Sequence, residues 1–267
     1  MSQLDSTDVG VTVLGSGSSG NCTLVHCGRQ AIMIDAGFSF KEFRSRIKAS
    51  GLEQLSINGI LVTHEHTDHI HGVRVCAEKL EAPVYATRGC AQAIREKDSK
   101  MGQMATFAPG GSFEIGDFTI CPFLISHDAH EPVAFSIYCR DVKIGIATDV
   151  GYVSAGVEYS LRDCDMLVVE SNHDLNMLAA SQRPWSLKQR IMGRQGHLSN
   201  SASGQLLERI VAEKTHDIVL AHISRECNTL EKAHDAAEAV LSSIRRDDVS
   251  LSVAEQEIPH ATIWHHF

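Results

Sequence analysis

Apolar positions along the chain recur with two periods, and the switches between them outline the elements. Near the start, VGVTVL (9–14), CTLVHC (22–27) and AIMIDA (31–36) are short, β-branched and bounded by Gly- and Ser-rich turns, which predicts three strands. The period then lengthens: Phe40, Phe43 and Ile47 recur at helical spacing, Ser39 and Glu42 form a capping-box pattern, and Gly51 marks the stop. A strand is predicted at 59–63, a helix over about 70–80, a strand at 83–87 and a helix at 90–97. The middle is richer in strands, at 118–126, 133–139, 142–148 and 166–171. A helix near 200–213, a strand at 217–224, a helix near 229–245 and strands near 249–254 and 260–265 complete the pattern.

No linker, charge block or repeat interrupts these 267 residues, so one domain, 1–267, is expected. Two β-rich units with helices of their own suit a sheet-on-sheet α/β architecture with helices outside, though periodicity alone does not single it out. Apolar residues make up 43% and charged residues 21%, an ordinary globular composition. MSQLDSTDVG has neither a basic cluster nor an apolar run, and no stretch approaches the length of a membrane span; the expectation is a cytoplasmic protein with no membrane partner. Eight cysteines without a CxxC read as buried free thiols.

A formal charge of −9 argues against a broad grip on nucleic acid, but residues 181–200 hold Arg183, Lys188, Arg190 and Arg194 with no acidic residue. The Gly15-Ser16-Gly17-Ser18-Ser19-Gly20-Asn21 turn is small enough for its amides to approach an anion, although tight turns use the same residues.

Histidine decides the chemistry. Fifteen are present, and Thr63-His64-Glu65-His66-Thr67-Asp68-His69 directly follows an apolar strand. Two apart on extended backbone, His64 and His66 converge on one cation, and the turn into a helix carries Asp68 and His69 to a neighbouring point. Four such residues in six positions suit two adjacent metal sites; imidazole and carboxylate donors favour zinc, with manganese or iron also compatible.

This HxHxDH pattern resembles the metallo-β-lactamase-fold hydrolases, which implies a four-layer αββα sandwich holding two divalent metal ions (Zn or Mn). By the same resemblance, Asp35 supports the histidine loop, His127 is the third histidine in preference to His130, Asp149 bridges the metals, and His222 is the last ligand. The implied sets are His64, His66 and His127 on one ion and Asp68, His69 and His222 on the other. Glu170 in ESNHD and His197 in GHLSN are similar to the pair with which phosphodiesterase branches assist a leaving alkoxide.

Together GSGSSGN, HEHTDHIHGV, SHDAHEPVAF, TDVGY, ESNHD and GHLSN resemble the YycJ/WalJ-type bacterial metallohydrolases, a family associated with DNA exonuclease activity. The resemblance implies a dinuclear phosphodiesterase acting on DNA through a metal-bridging hydroxide, with Asp68, Asp149, Glu170 and His197 catalytic and Ser18, Asn21, Arg190 and Arg194 touching substrate. Hydrolysis of a small cyclic phosphodiester, thioester or lactone is the alternative.

Overall fold

The computed structural model describes residues 8–267; residues 1–7, most of the MSQLDSTDVG stretch, lie outside the described residues. Two mixed sheets pack face to face with helices on both outer sides, as the resemblance implied. The first sheet begins with an antiparallel meander, β1 (Val9–Gly15), β2 (Cys22–Cys27) and β3 (Gln30–Ile34). It continues in parallel through β4 (Ser56–Leu61), β5 (Val84–Thr87) and β6 (Ala105–Phe107). The second sheet repeats the plan: antiparallel β7 (Phe113–Ile115), β8 (Phe118–Leu124), β9 (Val133–Cys139) and β10 (Val142–Ala147), then parallel β11 (Met166–Glu170), β12 (Asp217–Ala221) and β13 (Ser250–Val253). The chain returns at β14 (Ile263–His265) to pair with β1 on the edge of the first sheet.

Strand alternation sorts the core into layers. Val25 and Ile32 point inward to meet Phe118, Phe135, Ile144 and Val168 of the other sheet. Their neighbours Leu24 and Met33 face outward, onto helices α1 (Phe40–Ala49), α3 (Val73–Leu80) and α4 (Arg88–Lys97). On the far side, Leu167 and Val169 pack against α5 (Ala155–Leu161), α8 (Asn200–Ile210) and α9 (Leu230–Ser243). The strands are buried on both faces, which is why they read as nearly continuous apolar runs.

Local chemistry explains most boundaries. Ser39 Oγ accepts the Glu42 amide at 3.2 Å, but the Glu42 carboxylate turns away to Arg46 at 2.7 Å, so the capping box is half built. The helix expected over 70–80 is two pieces, α2 (Thr67–Ile70) and α3, parted around Gly72. β4 begins and ends earlier than its apolar run, which frees Val62 and Thr63 to lead into the histidine turn. All eight cysteines are free thiols, seven of them buried. Among the described residues no helix is long and apolar enough to cross a membrane.

One core histidine makes stability pH-dependent. His26 on β2 is fully buried against the edge of Trp264, and burial pushes its pKa down from 6.5 to about 4. The unfolded chain therefore binds the extra proton between those two values, and stability falls as pH drops from 6.5 toward 4, by about 3 kcal/mol in all. Urea denaturation at about pH 7 and pH 4.5 is expected to show about 2–3 kcal/mol of this loss, and His26→Gln to lose less by a similar margin. An acid loss of equal size in the variant contradicts the assignment.

Candidate metal centre

The sequence-predicted donors lie where strands end, all at one rim of the sandwich. His64, His66 and His69 follow β4, His127 follows β8, Asp149 follows β10, Glu170 ends β11 and His222 follows β12. Three of the turns are strained: Asp35, Asp149 and His222 adopt left-handed backbone (φ 60°, 59° and 57°), a conformation that costs a non-glycine residue about 1–3 kcal/mol and that here aims each side chain at the centre.

The turn after β3 and the histidine loop are locked together. Asn21 N–H donates to the Asp68 carbonyl (2.8 Å), Ala36 N–H to the His69 carbonyl (2.9 Å) and Gly72 N–H to the Ala36 carbonyl (2.7 Å). The approach is so close that a Cβ on Gly37 would sit 1.8 Å from the Asp68 carbonyl oxygen, and one on Gly72 1.9 Å from that of Phe38.

Hydrogen bonds behind the imidazoles fix which nitrogen each presents. Asp35 accepts from Thr63 N–H and Thr63 Oγ, both at 2.8 Å, and from His69 Nδ1 at 2.7 Å. Because the Thr63 hydroxyl proton goes to Asp35, its oxygen accepts from His64 Nδ1 at 3.0 Å. His127 Nδ1 donates to the Gly196 carbonyl (3.1 Å) and His222 Nδ1 to Glu170 (3.0 Å). Four imidazoles are thus anchored through Nδ1 with Nε2 turned to the centre, the arrangement of metal-ligating histidines. His66 is reversed: Nε2 donates to the Asp128 carbonyl (3.3 Å) and Nδ1 faces His127 Nε2 (3.3 Å).

Two clusters result, His64–His66–His127 and Asp68–His69–His222, the donor atoms of each within 4.8 Å of one another. Asp149 stands between them. Its Oδ2 is 3.2 Å from His69 Nε2, and its Oδ1 is 3.6 Å from His222 Nδ1 and 3.7 Å from His127 Nε2. His64 Nε2, Asp149 Oδ2 and His222 Nε2 are buried with no hydrogen-bond partner, an expensive condition for polar atoms unless something else engages them. Converging imidazole and carboxylate donors of this kind fit divalent cations. His130 is not among them: its ring is largely exposed and is held by Glu65 at 2.8 Å.

Residues 30–223 match the beta-lactamase superfamily domain. The chain belongs to the β-lactamase superfamily. Curated relatives include the exodeoxyribonuclease YycJ of Bacillus anthracis, 35% identical over 232 residues that span 86% of this chain and 88% of the relative. The exodeoxyribonuclease WalJ of Streptococcus pneumoniae is 35% identical over 228 residues, 84% of each chain. Among solved structures, the metallo-β-lactamase-fold protein YhfI of Bacillus subtilis superposes with a TM-score of 0.71 at 16% identity, over 95% of this chain and 99% of its own. Zinc-bound PqqB of Methylobacterium extorquens superposes at 0.66 and 18%, over 94% and 99%. At those identities the two structures establish a shared fold.

Beside the clusters of this superfamily member sits a Glu–His pair. Glu170, fully buried, accepts from His197 Nδ1 (2.8 Å) as well as from His222, and its other oxygen accepts the Val150 and Leu198 amides (2.8 and 3.1 Å). The His197 ring is 5.2 Å from both the His127 and His222 rings, with part of its surface open to solvent. Charge balance runs through the carboxylates. Burial would raise Glu170, yet His197 and His222 hold it down to about 2; burial would lower His222, yet Asp149, Asp68 and Glu170 lift it to about 10. Cations entering the clusters would displace such protons, so metal binding here is coupled to proton release.

The substrate residues divide differently from the sequence reading. Asn21 is buried and points into the protein, accepting from Ser16 Oγ and the Gly17 amide and donating toward His69 Nε2 (3.0 Å); Ser18 is exposed at the tip of the turn. The Gly17, Ser19 and Gly20 amides are already bonded, to Asn21, Gln256 and the Gly17 carbonyl, so the turn is braced rather than open as an anion nest. The basic stretch is not a free patch either. Arg183 pairs with Glu226 (3.0 Å), and Lys188 is buried with its ammonium on the Ala179 and Ser181 carbonyls. Arg190, on α7 (Trp185–Met192), grips Asp128 Oδ2 through Nε (2.6 Å), and Arg194 stacks 4.1 Å over the Tyr152 ring. Motif reading passes over Thr63, Asn172 and Asp128. Asn172 Nδ2 donates to the His222 carbonyl (2.8 Å), and Asp128 Oδ1 lies 3.4 Å from His127 Nε2. Asn172 and Asp128 stand inside the motifs ESNHD and SHDAHEP, so adjacency to a ligand was the available signal.

Proposed function

We propose that the chain, working as one domain, is a metal-dependent phosphodiesterase that cleaves nucleic acid, with DNA the favoured substrate and the cytoplasm its setting. In this reading His64, His66 and His127 hold one divalent cation, Asp68, His69 and His222 hold a second, and Asp149 is shared. Such cations, zinc or manganese, supply positive charge against the phosphoryl oxygens and make an ionised water available near neutral pH.

The observation that carries the reading is the His197–Glu170 contact of 2.8 Å at the edge of both clusters. A departing alkoxide needs a proton, whereas a thiolate needs little help. Burial disfavours the charged His197 ring, but Glu170 and Asp149 outweigh it and raise its pKa above the usual imidazole value, which favours the acid form. Glu170, bonded to two backbone amides, cannot swing away and keeps the Nδ1 proton in place, which leaves Nε2 to serve the leaving oxygen. Arg190, exposed beside the clusters, is the side chain best sited to exchange Asp128 for a flanking phosphate. The exodeoxyribonuclease names of the relatives at 35% identity support DNA as the substrate.

The net charge of −9, together with the basic side chains already engaged at Arg183 and Lys188, favours a small substrate instead. Turnover of end-labelled DNA, bis(p-nitrophenyl) phosphate and a thioester, each with added zinc or manganese, separates the readings. DNA cleavage is expected to dominate and to weaken steeply between about 50 and 200 mM salt. Thioester hydrolysis that exceeds phosphodiester hydrolysis and ignores salt refutes the proposal.

A further inference from the structure

A second group of donors lies at the opposite end of the sandwich. Asp165 immediately precedes β11 and His216 immediately precedes β12, the strands whose far ends carry Glu170 and His222. His265 ends β14, on the edge of the other sheet. One donor atom from each of Asp165, His216 and His265 lies within 4.8 Å of the others. From His216 to His222 the strand advances roughly 20 Å, so this group shares no donor with the rim described above.

The group is built rather than merely adjacent. His216 N–H donates to the Asp165 carbonyl (3.0 Å), and the Ser250 amide donates to the His216 carbonyl (2.8 Å). Asp165 is buried, and its Oδ2 accepts the Lys143 amide at 2.8 Å. His216 Nδ1 donates to Asp217 Oδ2 at 2.7 Å, which fixes the tautomer and presents the Nε2 lone pair. That lone pair meets His265 Nδ1 at 2.8 Å. A carboxylate behind an imidazole whose other nitrogen faces a second imidazole and a buried carboxylate is the outer arrangement of a metal-bound histidine.

We propose that Asp165, His216 and His265 form a separate site for a divalent transition-metal ion of the zinc class, a clamp between β14 of the first sheet and the heads of β11 and β12 in the second. Three protein donors plus solvent complete four-coordination. Zinc–nitrogen bonds of about 2.0–2.1 Å place two ligating nitrogens roughly 3.3 Å apart, so the two rings need to part by about half an ångström, within reach of small side-chain rotations. The Lys214 ammonium, partly exposed, lies 2.8 Å from Asp165 Oδ2, the carboxylate that a bound cation would share. Metal and lysine therefore compete, and the lysine leaves into solvent. The clamp joins the two sheets through the last strand, so its consequence is stability rather than turnover.

The experiment measures zinc content of the untagged full-length chain by elemental analysis after dialysis against buffered free zinc, with thermal melting alongside. The wild type is expected to hold one more zinc ion than His265→Gln, with turnover of bis(p-nitrophenyl) phosphate equal in the two. Asp217→Asn, which removes only the carboxylate behind His216, is expected to weaken zinc at this site by about 10–100-fold. Lys214→Gln removes the competing ammonium and is expected to tighten it by about two- to fivefold, the scale of one partly exposed ion pair. Equal zinc content and equal zinc-induced thermal shifts in wild type and His265→Gln overturn the proposal, as does a Lys214→Gln chain with unchanged zinc affinity. Should His265→Gln fail to fold, the Lys214→Gln arm decides alone.

Discussion

Asp149→Ala is expected to remove metal-dependent phosphodiester cleavage almost completely, by about 10⁴-fold or more. The magnitude follows from the carboxylate's position. Asp149 is buried between the two clusters, with His69 at 3.2 Å, His222 at 3.6 Å and His127 at 3.7 Å. Burial would raise its pKa, but the His222 and His69 imidazoles hold it well below the ordinary value, so it is an anion at any working pH. Without it, His69 and His222 lose the nearest carboxylate that the two clusters share, and the buried imidazoles are left with less compensating charge. Residues that act as one catalytic unit show losses of this order when a single member is removed. The check is single-turnover cleavage of end-labelled DNA across a manganese and zinc titration, with bound metal measured on the same sample. Thermal melting of Asp149→Asn, which keeps the shape and removes the charge, separates lost chemistry from lost folding. Cleavage within tenfold of wild type, at normal metal content, would sink the dinuclear assignment.

His197→Ala is expected to lower kcat on DNA by about 10²–10⁴-fold, the usual worth of a positioned general acid. The loss should depend on the leaving group. A deoxyribose alkoxide needs the proton; p-nitrophenolate departs without it, so bis(p-nitrophenyl) phosphate turnover should fall by less than about tenfold. Glu170→Gln weakens the same contact from behind. Because both side chains act through one proton, the double variant should lose little more than His197→Ala alone. Equal losses on the two substrates would show that His197 holds the site together rather than serving the leaving oxygen. Glu170 is the less clean probe, since it also anchors His222 at 3.0 Å and two backbone amides.

Element type was largely legible because the strands are buried on both faces and the helices on one, so each leaves a distinct period. β6, β7, α5 and α6 (Leu175–Ala180) are the exceptions. They are short, and β6 is mostly exposed, so neither period has room to show. The break between α2 and α3 is likewise tertiary, because Gly72 is pressed against the Phe38 carbonyl from another part of the chain.

The candidate site divides along the same line. His64, His66, Asp68 and His69 declare themselves by spacing, because donors that close in sequence must also be close in space. Asp149, Glu170, His197 and His222 are legible only through ordered motifs, and the choice of His127 over His130 waits for the fold: one ring bonds to the Gly196 carbonyl from 69 positions away, the other is taken by Glu65. Tertiary packing alone decided that Asn21 points inward, that Lys188 is a structural cation and that Arg190 begins paired with Asp128. The sequence by itself determined which side chains can bind a cation and roughly where the strands place them, since local periodicity and donor chemistry are properties of neighbours along the chain. Which nitrogen His69, His127 and His222 present, and which charges are already spoken for, depends on hydrogen bonds to Asp35, Gly196 and Glu170, far from them in sequence and brought alongside only by the folded chain, while His66 is oriented from the other sheet by Asp128.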